Sequence, residues 1–169
     1  MKKLLLVSVL AALSSIGSLA VAAQVTASFD VKLTVQKACN VSAGTAIDFG
    51  SVASTSTTDL AGSTTISVTC SNRLPYTIGL TSTKNPTSTT GAGLLKGATT
   101  GNTDTVGYQL RKATGTGGAI WGNTVGTNTL AVSGTGLAQS QTVYATLPGT
   151  GLNVQADTYS DTVTVSVDY

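Results

Sequence analysis

The sequence predicts an all-β protein built as a two-sheet sandwich. Three observations carry that prediction. Thr, Val, Gly and Ser dominate the chain; the first two favour strands, the others turns. Good helix formers are sparse after residue 23. Segment after segment alternates apolar and polar residues with period two, and turn signals separate the segments.

Residues 1–23 read as a secretory signal: Lys2 and Lys3, then the apolar LLLVSVLAAL, then small residues through Ala22-Ala23. Cleavage fits after Ala22 or Ala23. The apolar run is short for a membrane span, and Gly17 and several Ser interrupt it. Removing the signal leaves about 146 residues, one domain's worth. That remainder opens with QVTASFDVKLTVQ, residues 24–36. Val25, Ala27, Phe29, Val31, Leu33 and Val35 share one face of a regular strand pattern, and Thr, Ser, Asp and Lys share the other. Such a strand could be the first of the chain's own sandwich, or an arm for another molecule.

Further strands follow in order. STTISVTCS sets Ile66, Val68 and Cys70 on one face. PYTIGLTS turns Tyr76, Ile78 and Leu80 inward, and DTVGYQLRK does the same with Val106, Tyr108 and Leu110. QTVYATLP aligns Val143, Ala145 and Leu147. SDTVTVSVDY aligns Val163, Val165, Val167 and Tyr169. AIDFGSV and NTLAVS are shorter candidates, while Lys84 to Thr103 reads as a long polar loop or a poorly paired edge.

Charge and composition exclude several function classes. Without Lys2 and Lys3, seven basic residues face seven Asp, so net charge is near zero. Nucleic acid and anionic membranes call for a basic surface and are not expected partners. There is no His and no Glu. A nucleophile would lack its commonest base, and neither a catalytic site, a metal site nor a cofactor is expected. The only cysteines, Cys39 and Cys70, read as a disulfide in an exported chain. The closed loop of about 30 residues would stabilise by roughly 3–4 kcal/mol.

Other motifs have simpler readings. GTG recurs at 115–117, 134–136 and 149–151 without the helix and Lys of a phosphate cradle, so hairpin turns are expected. Asp48-Phe49-Gly50 matches a kinase triplet, but a core Phe beside a tight turn explains it. Asn40-Val41-Ser42 is a bare glycosylation sequon. Asp157 and Asp161 could form a glycosidase pair, but two charged turn residues before the last strand are expected instead. Isolated Asp side chains give at most a weak calcium site. Trp121 could stack on a sugar or anchor the core.

The ordered series KACNVSA, IDFGSV, GSTTISVTCSNRLPYTIGL, VGYQLRK, IWGN and YSDTVTVSVDY resembles the spore coat protein U domain family, which includes the pilins of archaic chaperone–usher (Csu-type) pili. The resemblance covers residues 24–169. It implies an incomplete immunoglobulin-like β-sandwich of pilin type, one strand short of seven, with an open apolar groove. A periplasmic chaperone would first fill that groove. At an outer-membrane usher, a neighbouring subunit's N-terminal extension would replace the chaperone strand. Residues 24–36 would then be the donor strand and 37–169 the pilin domain, in a homopolymer or a mixed fibre at the cell surface that supports adhesion and biofilm formation. Val163, Val165, Val167 and Tyr169 would form the strand that the chaperone grips, by analogy with the related pilins. The alternatives are a self-complete sandwich that binds glycan through Trp121, Tyr108 or the long loop, and a spore or cyst coat component.

Overall fold

Alternation and turn chemistry produce nine strands in the computed structural model, which describes residues 22–169. They are β1 (Cys39–Ser42), β2 (Leu60–Cys70), β3 (Pro75–Ser82), β4 (Ala92–Gly97), β5 (Thr105–Arg111), β6 (Leu130–Ser133), β7 (Ala138–Leu147), β8 (Tyr159–Ser160) and β9 (Val163–Asp168). The only helical element among the described residues is a 3-10 turn at Gly149–Gly151. The predicted signal, except Ala22 and Ala23, lies outside the described residues.

The strands form two antiparallel sheets, β1-β2-β7-β5-β4-β8 and β6-β3-β9. β2 and β7 pair along their whole length, from Leu60 opposite Leu147 to Thr69 opposite Ala138. This register puts Ile66, Val68 and Cys70 on the same inner face as Val143, Ala145 and Leu147. The second sheet brings Tyr76, Ile78 and Leu80 from β3 against them. Each of the valine, leucine and isoleucine side chains among them, when fully buried, contributes about 1.5–3 kcal/mol. Trp121 is only 1% exposed and ties the core to the second sheet, its Nε1–H donating to the Ile78 carbonyl at 2.9 Å.

Three sequence expectations change. Lys84–Thr103 is not an unpaired loop, since it contains β4, which pairs with β5 on one side and β8 on the other. AGLLKG has too little alternation to announce a strand, but Gly93 lets the Tyr108 ring of β5 lie directly over the backbone. A Cβ at Gly93 would collide with that ring. AIDFGSV forms no strand, although Ile47 and Phe49 still pack on the core. The Asp48 carboxylate instead accepts the Gly50 N–H at 2.8 Å, and Gly50 adopts φ 74°, so the chain turns. Of the three GTG segments, only the first keeps the hairpin turn expected of it. Residues 115–117 lie in a tight reversal where the Lys112 N–H donates to the Ala119 carbonyl. Residues 134–136 carry the chain from one sheet to the other, and 149–151 form the 3-10 turn.

The chain divides after Thr34, and residues 35–169 hold every strand described above. Residues 22–34 have no regular secondary structure, although their alternation reads as a strand. A lone strand leaves its peptide groups without partners. The ion pair Lys32–Asp30 within this segment, 3.2 Å, is exposed at both ends and contributes little.

Candidate partner-binding groove

Between the two sheets of the 35–169 unit lies a groove of about 320 Å³. Its floor is the inner face of the core: Ile66, Leu80, Tyr108, Leu110, Val143 and Ala145. One wall is the chain beyond β1, Ala43 to Ile47, with Phe49. Gly44 lets this wall lie flat on β2, where a Cβ would strike the Thr65 carbonyl. The Thr64 hydroxyl fastens it further, donating to the Thr45 carbonyl at 2.6 Å. The opposite wall is the start of β9, with Val163 and Val165.

β9 also presents a ladder with no partner among the described residues. On β3 the even residues bond away from β9: the Gly134 N–H donates to the Leu74 carbonyl and the Leu80 N–H to the Gly122 carbonyl. Thr83, an odd residue, donates instead to the Thr162 carbonyl at 2.8 Å. Antiparallel alternation then commits Thr164, Ser166 and Asp168 to β3, opposite Thr81, Gly79 and Thr77. The N–H and C=O groups of Val163, Val165 and Val167 face the outer edge, since β9 ends its sheet. The side chains of the same three valines are half-buried against the core. One short strand therefore supplies both an apolar wall and a row of hydrogen-bonding groups that have no partner among the described residues, where a further strand could add.

A polar knot pins the start of β9 at the wide end of the groove. The Asp161 carboxylate accepts from the Ser82 hydroxyl, from the Tyr108 phenol at 2.7 Å, from the Thr162 N–H at 2.7 Å, from Thr83 Oγ1 at 3.0 Å and from the Lys84 N–H at 3.1 Å. Burial alone would raise the Asp161 carboxyl, but these hydrogen bonds outweigh it and hold the group below its ordinary value. Burial pushes the Tyr108 phenol up, and its hydrogen bond to the Asp161 carboxylate adds to the rise. The network fixes the start of β9 against β3 and β5.

At the narrow end β1 and β9 approach each other. The Lys37 ammonium donates to the Tyr169 main-chain oxygen at 2.9 Å and lies 5.5 Å from the centre of its ring. Ala38 exchanges hydrogen bonds with Ser71, and a disulfide joins Cys39 to Cys70 with their Cα atoms 4.1 Å apart.

The sequence-selected residues fall into separate groups. Val25, Phe29, Val31, Leu33 and Val35 are 81–95% exposed, and Ala27 is exposed with them. Val163, Val165 and Val167 line the inner side of β9, while Tyr169 follows it and is 50% exposed. Trp121 and Tyr108 are buried, so neither offers a stacking face for a sugar. Asp157 and Asp161 fasten loops. Hydrogen bonds from Asn102, Thr99 and the Thr158 N–H pull the Asp157 carboxyl down to about 2 against a small burial penalty. Among the described residues no cluster of three metal-ligating side chains occurs. Sequence reasoning missed the 43–47 wall, Lys37 and the Ser82–Tyr108–Asp161 knot. Gly44 and the lone Asp161 ahead of a Val/Thr strand were the available signals.

A family model described as the Spore Coat Protein U domain matches residues 25–166. No curated protein matches the chain. Among solved structures, the chain is similar to the CsuC–CsuE chaperone–tip adhesion subunit pre-assembly complex from archaic chaperone-usher Csu pili of Acinetobacter baumannii. The identity is 21% and the TM-score 0.49, over 80% of this chain and 40% of that one. This chain thus spans well under half of the matched chain's length.

Proposed function

The chain belongs to the Spore Coat Protein U domain family, and we propose on that basis that it is a structural subunit of a chaperone–usher pilus. In this reading residues 24–36 are a donor strand, and the groove of the 35–169 unit accepts the same segment of a neighbouring subunit. The observation that carries the reading is the pairing of an unfilled need with its complement. The groove has an apolar floor and a β9 ladder without a partner among the described residues, and the arm has an exposed apolar face of matching period. Strand addition supplies both missing parts at once: main-chain hydrogen bonds along β9, and alternate side chains over the floor.

Burying four of the six apolar arm side chains gives roughly 6–12 kcal/mol of gross transfer free energy. Ordering the arm offsets much of it. Head-to-tail exchange does not close on itself, so it builds a filament. Before assembly the groove would need covering, which is the role assigned to a periplasmic chaperone that releases the subunit at an outer-membrane usher. Val163, Val165 and Val167 would be the chaperone's contact as well as the donor's. Export to the cell surface, and a part in adhesion and biofilm formation, follow from the same reading.

The test is deletion of residues 24–36. The truncated subunit should fold and bind a chaperone yet form no multimers, and it should lack the ladder that the full chain is expected to give on unboiled SDS gels. Fibres built from the truncated subunit would overturn the assignment. Trp121 and Tyr108, on which the glycan-binding alternative relied, are both buried, so that alternative gains nothing from them.

A further inference from the structure

We infer that the root of the arm is built to keep each arm out of its own groove, so that the groove takes the arm of a second copy of this chain. The inference rests on the reading that the groove accepts residues 24–36. It answers a physical difficulty in that reading. A tethered arm would meet its own groove at an effective concentration of the order of millimolar. Without an obstacle it would outcompete any other copy present at micromolar concentration, and the subunit would cap itself.

Three features at the narrow end supply the obstacle. The first is a bridge: Lys37, on the β1 side, reaches Tyr169 at the end of β9 through its 2.9 Å hydrogen bond and its position over the ring. An arm returning from its own root would have to enter beneath that bridge. The second is anchorage. Ala38 is already laid along the continuation of β2, its N–H donating to Ser71 Oγ at 2.9 Å and its carbonyl accepting the Ser71 N–H at 2.9 Å. Cys39 is bonded to Cys70. Any reversal must therefore be made by Val35, Gln36 and Lys37. None of these is a residue that readily adopts the positive φ of a tight hairpin turn.

The third feature is strand polarity. β1 leads away from the narrow end and β9 leads towards it. A returning arm would run antiparallel to β1 and so parallel to β9. Parallel pairing is the slightly weaker arrangement per residue, and it would be imposed on the edge formed by Val163, Val165 and Val167. The arm of another copy has no such tether. It can enter from the wide end and pair antiparallel with β9.

The experiment inserts Gly-Gly-Asn-Gly between Gln36 and Lys37 and adds Lys37→Ala. The insertion supplies the turn, and the substitution removes the bridge. The variant should become a capped monomer, with multimers on unboiled gels reduced roughly 10²-fold or more, and with trypsin no longer cutting after Lys32. A variant that polymerises like the unmodified chain overturns the inference. A second measurement needs no variant. Unmodified protein, disulfide intact and refolded at submicromolar concentration, should be cut after Lys32 as fast as a free peptide, while assembled material resists. Protection in both the dilute monomer and the assembly overturns the inference alone. Cutting in both, together with fibres from the arm-deleted chain, overturns the donor reading beneath it.

Discussion

Two stretches of this chain carry almost the same pattern and have opposite fates. In β7, QTVYATL places Val143, Ala145 and Leu147 on one face, and all three are 2–3% exposed. In the arm, VTASFDVKLTV aligns an equally regular apolar face that is 81% exposed or more at its large residues. β7 has β2 along its full length and β5 on its other side. The arm has no strand partner among the described residues. Alternation therefore records a demand for burial and says nothing of where the partner comes from. β9 stands between the two, paired with β3 on one side and open on the other, and its valines are half-buried.

The sharpest way to break this comparison is to make the same change in both stretches. Val143→Asp buries a carboxylate without a partner and should cost more than about 4 kcal/mol, leaving no folded protein by circular dichroism. Phe29→Asp should leave the monomer's unfolding free energy, measured by urea denaturation, within about 0.5 kcal/mol of the original. It should nevertheless abolish the multimer ladder, because the charge would enter an apolar groove. A large loss of monomer stability in Phe29→Asp would mean that the arm is already part of its own core.

Next in size is the link at the arm's root. Reducing the Cys39–Cys70 bridge, or replacing both cysteines by Ser, should cost roughly 3–4 kcal/mol, read as a shift in denaturation with and without reductant. β9 offers the intermediate case. Ile78→Ala, in the closed core, should cost about 2–5 kcal/mol. Val165→Ala, on the groove wall, should cost about 1 kcal/mol or less in the monomer and distinctly more in the assembly. Equal costs in the two states would mean that nothing fills the groove.

The smallest effect concerns acid. The Asp157 carboxyl titrates near 2 when folded, below its usual 3.8. Its contribution is therefore complete above pH 3.8 and is lost as pH falls towards 2. Asp161 shifts in the same direction. Thermal midpoints should fall with acidification through that window, and Asp157→Asn should flatten the fall.

The strands with clear alternation were legible in the sequence, with their inward residues: Ile66, Val68, Tyr76, Ile78, Leu80, Val106, Tyr108, Leu110, Val143 and Leu147 are all buried. Period two maps directly onto the two faces of a strand, so no tertiary knowledge is required. β4 was not legible, because AGLLKG has little alternation and its place depends on the Tyr108 ring lying over Gly93. The groove's two walls were half legible. TVTVSV announces one of them, while Ala43–Ile47 is irregular backbone whose position comes from its fit against β2.

By itself the sequence determined the class of structure, the faces of the main strands and the pairing of its only two cysteines. Each follows from local patterning or from a count that admits one answer. Tertiary structure alone decided that β9 would end its sheet, that its three valines would offer their peptide groups outward, and that Lys37 would meet Tyr169. Those outcomes depend on which distant segments become neighbours, and a strand's own residues specify its two faces but not which of its two edges is left open.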